Sequence, residues 1–344
     1  MNQPKKSARV FLLFLTIYLL LVSTTWGQSA SITPPPVSGR AVSPETILPA
    51  DVLARVQWFH EELEAIRLEM GKPKNRGVTQ LATDASPHEV YFQAITLFIK
   101  ADRLALELTG STGLRPRPVP PSAIRPNHNW VLVNAALGRL VTIKKELGIQ
   151  ETVSEKAHPP STKPTEVARA IVQANRQLNL MLQRRFSSSD VFQQVSWGIQ
   201  YAKALLAQFP AATPSAASPP FERGKQPGEV FLRLVQCFTH VEEIARLSGT
   251  AALHLDAKAA KRAVDDLNIE PSDVYDLATL LVSDLTYLYG RLKDVPPIPS
   301  VPFPGRKFPS HAYQQAGVLL AHLRVLEQQV RAHPNWSKVQ PPVN

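Results

Sequence analysis

A short phrase recurs along the chain and limits what it can fold into. Proline, a variable residue, an acid and valine stand together at Pro49-Ala-Asp-Val, Pro87-His-Glu-Val, Pro164-Thr-Glu-Val, Pro227-Gly-Glu-Val and Pro271-Ser-Asp-Val. Weaker versions at Pro126-Asn-His-Asn, Ser188-Ser-Asp-Val and Pro309-Ser-His-Ala precede equally amphipathic stretches. Counted from the first residue of each phrase, positions +3, +7, +10, +14 and +17 are apolar or small in nearly every copy. At Pro271 they are Val274, Ala278, Leu281, Leu285 and Leu288; at Pro227 they are Val230, Leu234, Cys237, Val241 and Ile244. Alternating steps of four and three residues keep one stripe of a helix turned to a partner, as in left-handed bundles.

The phrase itself reads as a helix start. Proline loses nothing at the first helical position, and a carboxylate in the first turn meets free amides and the positive end of the helix dipole. Asp51, Glu89, Glu166, Asp190, Glu229 and Asp273 therefore have a capping role before any catalytic one, and Ser86 with Glu89 fits a capping box. The composition agrees: 31 prolines, 15 glycines and 44% hydrophobic residues suit helices with a real core, punctuated by stiff connectors. The expected fold is all-α, with eight amphipathic helices in a repeat or bundle arrangement.

Spacing between phrases is 38, 39, 38, 24, 39, 44 and 38 residues, nearly symmetric about the short step. That symmetry suggests a duplicated four-helix unit, one copy over about 48–186 and the other over 187–336. Leu108-Thr-Gly-Ser-Thr-Gly-Leu and Leu247-Ser-Gly-Thr-Ala-Ala-Leu, each after the second helix of its half, point the same way. The short step through Arg184-Arg-Phe-Ser-Ser-Ser-Asp190 demands an antiparallel hairpin or one kinked helix. Elsewhere a ~30 Å helix is followed by ~18 residues that extend to ~55 Å at polyproline rise, enough to run back and start the next helix at the same end. Residues 255–267 suit a short extra helix, and the Pro-rich stretch 114–125 an extended strap.

The N-terminus carries Lys5, Lys6 and Arg9, an apolar run from Val10 to Val22, then small residues at Thr25 and Gly27. This is the pattern of a secretory signal over residues 1–27, followed by a linker over 28–47; a tail occupies 337–344. The expected location is periplasmic or secreted, the alternative being an inner-membrane anchor through residues 10–26. Losing three positive charges lowers the formal charge from +10 to about +7, a moderate basicity compatible with an anionic partner. Nucleic acid is not an expected partner, since the chain looks exported and has no concentrated Lys/Arg block with interleaved aromatics. Cys237 stands alone, on a stripe position, so no internal disulfide forms and the thiol reads as a small core hydrophobe.

No catalytic, metal or cofactor signature stands out. The nine histidines include no His-x-x-x-His pair, and no nucleophile motif or phosphate loop occurs. His88, His128 and His311 all fall in first turns, where they are expected to be exposed. Position +4 bears a ring in most copies: Tyr91, Trp130, Phe192, Phe231, Tyr275 and Tyr313. If Tyr91, Trp130, Tyr275 and Tyr313 converge about a gap left by small stripe residues, they form an apolar pocket with phenolic handles. Asn175 and Asn179, four apart on the most polar helix, share a face and suit a buried amide pair or ligand contacts. These six residues are the candidate ligand-binding set. The expected role is an exported, non-enzymatic binding, sensing or scaffolding module for an envelope protein or small-molecule ligand. The alternatives are an envelope enzyme with acid and histidine groups at the helix starts, or an anchored structural protein.

Overall fold

The computed structural model describes residues 47–75, 82–83, 85–117, 119–120, 123–151, 159, 161–209, 218–250, 252–266, 269–292, 295–333 and 336. The expected signal, most of the linker and the tail lie outside them. Eight long helices begin at the recurring phrases: α1 (Pro49–Glu69), α2 (Pro87–Thr109), α3 (Pro126–Glu146), α4 (Pro164–Met181), α5 (Ser188–Leu206), α6 (Pro227–Leu247), α8 (Pro271–Gly290) and α9 (Pro309–Ala332). A ninth, α7 (Ala257–Asp266), is the short helix expected after residue 255, and two-residue strands β1 (Ala82–Thr83) and β2 (His254–Leu255) pair antiparallel. The fold is all-α. Among the described residues no helix is long and apolar enough to cross a membrane.

Each long helix starts by the same chemistry. The third helical residue accepts the backbone N–H of the residue before the helix: Leu48 to Asp51 at 2.8 Å, Ser86 to Glu89 at 2.7 Å and Lys163 to Glu166 at 2.9 Å. Ser187 to Asp190, Gln226 to Glu229 and Glu270 to Asp273 repeat it at 2.7, 2.9 and 2.9 Å. Where the phrase carries histidine instead, the ring Nδ1 takes over, His128 accepting from Arg125 at 3.0 Å and His311 from Phe308 at 3.2 Å. The residue before the helix is seldom a serine, so this backward bond is the half of the capping box that the sequence keeps. The phrase shared by 108–114 and 247–253 supplies the other terminus: Gly110 and Gly249 adopt left-handed φ of 70° and 68°, which stops a helix and which side chains with a Cβ resist.

The +3, +7, +10, +14 and +17 positions are buried in all eight helices, including the polar Asn129 and the glycine at 198. Their stripes define two rings of four. In the first, α1 packs on α3 and α4, and α2 packs on the same two. In the second, α5 packs on α8 and α9, and α6 packs on the same two. Substituting first for fifth helix, and so on, converts one contact pattern into the other.

Within each ring the helices run parallel. Pro49, Pro87, Pro126 and Pro164 line one small hollow at a common end. Contacts at matching depth confirm the direction: Lys144 of α3 pairs with Glu62 of α1, and Asn175 of α4 bonds Gln93 of α2. In the second ring, Gly198 of α5 faces Leu319 of α9 and Val282 of α8. Described parts of three connectors lie along the bundle. Gln177 near the end of α4 holds Pro73 and Asn75 at 3.0 and 2.8 Å, and Thr165 at its start holds Ala85 at 3.0 Å. The Pro-rich strap after α2 is pinned to that helix by Gly113 on Asp102 (2.6 Å) and Val119 on the Tyr91 hydroxyl (3.0 Å). The segment before α9 passes Gln193 at Val301 (2.9 Å) and Ser189 at Lys307 (2.8 Å).

The short step reverses the chain. Residues 182–187 make a tight turn whose backbone amides at Gln183 and Arg184 donate to Glu107 at 2.8 and 3.0 Å, while Arg185 meets Glu270 at 2.8 Å. α4 and α5 do not pair along their lengths as a hairpin would; across the turn α4 touches α8 instead. The two rings consequently point in opposite directions and join through α2 and α8, which are antiparallel. Four aligned dipoles place about half a charge each at one end of a ring. The first-turn carboxylates sit against that charge, and opposing the rings offsets it further.

Candidate functional site

The junction between the rings is where chemistry collects, because α2 and α8 each bury a second face. Besides its stripe, α2 buries His88, Glu89, Gln93, Thr96 and Lys100; α8 buries Ser272, Asp276, Thr279, Ser283 and Asp284. Antiparallel packing sets the start of one helix against the end of the other.

At one end, His88 Nε2 donates to Asp284 Oδ1 at 3.1 Å and lies 3.2 Å from Glu89 Oε1. The imidazole is stacked on Tyr287 at 4.0 Å with planes 4° apart, which fixes its orientation. Glu89 does two jobs: Oε2 accepts the Ser86 N–H, and this turns Oε1 toward His88. Glu89 Oε1 and Asp284 Oδ2 are buried without a hydrogen-bond donor. Burial pushes the His88 imidazole down, but Asp284 and Glu89 outweigh it and hold its pKa well above the ordinary value. Burial, helped by the neighbouring Glu89 charge, pushes the Asp284 carboxyl up against the opposing pull of His88. The three groups form one proton-sharing cluster.

At the other end, Lys100 is fully buried and donates to Asp276 Oδ1 at 2.5 Å and to the Asn175 carbonyl at 3.4 Å. Burial lowers its pKa despite Asp276. Phe186 from the reversing turn caps the pair, its ring 5.5 Å from the Lys100 ammonium and stacked on Tyr275 at 4.1 Å. Asn179 Nδ2 donates to Asp276 Oδ2 at 3.2 Å, and Asn175 Nδ2 to Gln93 Oε1 at 3.2 Å. The two asparagines thus share a face, as their spacing requires, but the face meets α2 and α8 and not the expected α4–α5 pairing.

A cleft opens beside this seam. Ala168, Val172, Phe231, Leu253, Leu277 and Leu280 supply its apolar lining, and Glu89, Gln93, Arg169, Arg176, Asp273 and Asp276 its polar groups. Its volume is about 50 Å³, room for one or two waters, and it is partly open to solvent. Burial raises the Asp273 carboxyl, although its capping bond from Glu270 opposes the shift.

The four rings proposed as a pocket do not come together. Tyr91 and Trp130 stand at the starting end of the first bundle, Tyr275 and Tyr313 at the opposed starting end of the second. Each has a local partner: Tyr91 the strap at Val119, Trp130 the Arg55 guanidinium at 5.1 Å, Tyr275 Phe186, and Tyr313 the Arg233 guanidinium at 3.3 Å. The expectation that His88, His128 and His311 are exposed first-turn residues needs correction: His88 is 4% exposed, and His128 and His311 are half-buried. His88 occupies the second helical position, facing α8, whereas His128 and His311 occupy the third and cap.

Sequence reading did not find Lys100, Asp276 or Asp284. The available signal was a second polar stripe at seven-residue spacing: Gln93 and Lys100 on α2, Asp276 and Ser283 on α8. On an isolated helix such residues read as the solvated face. Set against known protein families, curated proteins and solved structures, the chain matches none.

Proposed function

We propose that this chain is an exported, non-enzymatic binding module of the cell envelope, built on two four-helix units over about 48–186 and 187–336, whose ligand site is the cleft between them. The observation carrying the reading is the cleft's composition: an exposed surface that is mostly apolar, with polar and charged side chains converging around it, as in a small-molecule site. It is formed by α2 and α4 of one ring and α6 and α8 of the other, so a ligand there senses how the rings meet. The cleft is small, so a ligand lies along its open side or parts the helices, and a small amphipathic molecule fits that wall. Export rests on the signal-like N-terminus alone.

The test uses 1-anilinonaphthalene-8-sulfonate and medium-chain fatty acids as probes, read by fluorescence and thermal shift. Saturable binding of one equivalent, lost in Val172→Trp, is expected. Absence of saturable binding, or binding indifferent to that substitution, removes the reading. The enzyme alternative has one observation behind it: Glu89, Asp273 and Asp276 edge the cleft. Turnover of cell-wall fragments or phospholipid by the pure protein, lost in Asp273→Asn, would put it first.

A further inference from the structure

The geometry of His88, Glu89 and Asp284 points to a site for one divalent transition-metal ion, bound by His88 Nε2 and one oxygen from each carboxylate, that clamps α2 to α8. Three donor atoms of these residues lie within 4.8 Å of one another, in side chains at most 5% exposed. In a tetrahedral site with bonds of ~2.0–2.1 Å, neighbouring donors are separated by about 3.3 Å. The observed separations of 3.1 and 3.2 Å from Nε2 are close to that edge, so a cation replacing the Nε2 proton needs little rearrangement.

Two further observations support a cation over a purely internal polar contact. First, Glu89 Oε1 and Asp284 Oδ2 are buried carboxylate oxygens with no hydrogen-bond donor, an arrangement that costs free energy and leaves both oxygens free to coordinate a cation. With neutral histidine the cluster carries two negative charges, which one divalent ion cancels. Second, the donors are held from outside: the Ser86 N–H fixes Glu89 Oε2, and Tyr287 stacks on the imidazole, the kind of support that orients metal ligands. Glu89 also lines the cleft, which gives an ion a way in. One imidazole with two carboxylates suits Zn²⁺, Mn²⁺ or Fe²⁺ better than a thiolate-seeking ion. Because the donors come from both rings, the ion's place is structural, at the junction. The inference does not depend on the cleft being a ligand site.

The test takes the full chain, treated with EDTA and desalted, through calorimetric titration with Zn²⁺ and visible absorption with Co²⁺. One equivalent is expected to bind, to raise Tm and to give Co²⁺ the intense bands of a four- or five-coordinate ion. His88→Gln and Asp284→Asn should each weaken binding by more than about tenfold, with helical circular dichroism retained. His240→Ala/His254→Ala, which removes two solvent-accessible His–Glu pairs, should leave it unchanged. Failure to take up either ion, an unaltered hexaaqua Co²⁺ spectrum, or uptake lost with the surface pairs but not with His88 and Asp284 overturns the proposal. Should both cluster variants fail to fold, the wild-type Co²⁺ spectrum and stoichiometry decide.

Discussion

Replacing Lys100 with methionine tests the account of the junction most directly. The methionine keeps most of the apolar stem packed beneath Phe186 and removes only the ammonium. Asp276, 6% exposed, then loses its bond from Lys100 and retains the Asn179 amide on its other oxygen. Breaking a buried ion pair by removing one partner costs about 3–5 kcal/mol, because the remaining charge is stranded. For a chain of this size that is a drop of about 1 M or more in the urea midpoint. The double variant Lys100→Met/Asp276→Leu removes both charges, and buried pairs replaced by apolar groups are often neutral or better. It should recover to within about 1 kcal/mol of the parent. The lowered pKa of Lys100, burial outweighing Asp276, agrees with a pair whose desolvation opposes its attraction. Urea unfolding followed by circular dichroism on all four members of the cycle measures the coupling. A single variant within 1 kcal/mol of the parent, or a double variant no better than the single, refutes the argument.

Other outcomes follow from single contacts. A Cβ at Gly198 would sit 3.1 Å from Leu319 Cδ2, so Gly198→Leu should overpack the second ring and lower stability by about 1–3 kcal/mol, read as a fall in Tm. Glu166→Ala removes the acceptor for the Lys163 N–H on an exposed helix start and should cost about 0.5–1 kcal/mol in the same assay. Burial pushes the Cys237 thiol up to about 12, so at pH 8 only about one part in ten thousand is thiolate. Ellman's reagent should leave it unlabelled in the native protein and label one equivalent in guanidinium; rapid native labelling would contradict the packing of α6 on α9.

What the sequence revealed was what local periodicity encodes. The stripe and the helix-start phrase need only a few consecutive residues, and each long helix bears them, with serine replacing the proline at 188 and histidine replacing the acid at 128 and 311. Direction was legible too, since only a connector long enough to return a helix length permits parallel neighbours. The junction was not, because Lys100 and Asp276 are 176 residues apart and look like solvated residues until a second bundle covers them. The ring pocket failed for a related reason. Trp130 and Tyr313 start helices at opposed ends, and each packs on a local guanidinium, Arg55 or Arg233. Arg184 to Asp190 left open a hairpin or a kinked helix; the chain does reverse there, but the two helices do not pair along their lengths.

Parallel wiring has a kinetic consequence. Neighbouring helices in each ring touch only after the chain has closed a loop of one or more whole repeats, so no pair can zip up as a local hairpin. Closure entropy is lost before any contact compensates for it, and folding slows as the sequence separation of contacts grows. Although its secondary structure is almost wholly helical, this protein is therefore expected to fold on the timescale of a β-sandwich, milliseconds to seconds, and not with the microsecond kinetics of up-and-down bundles.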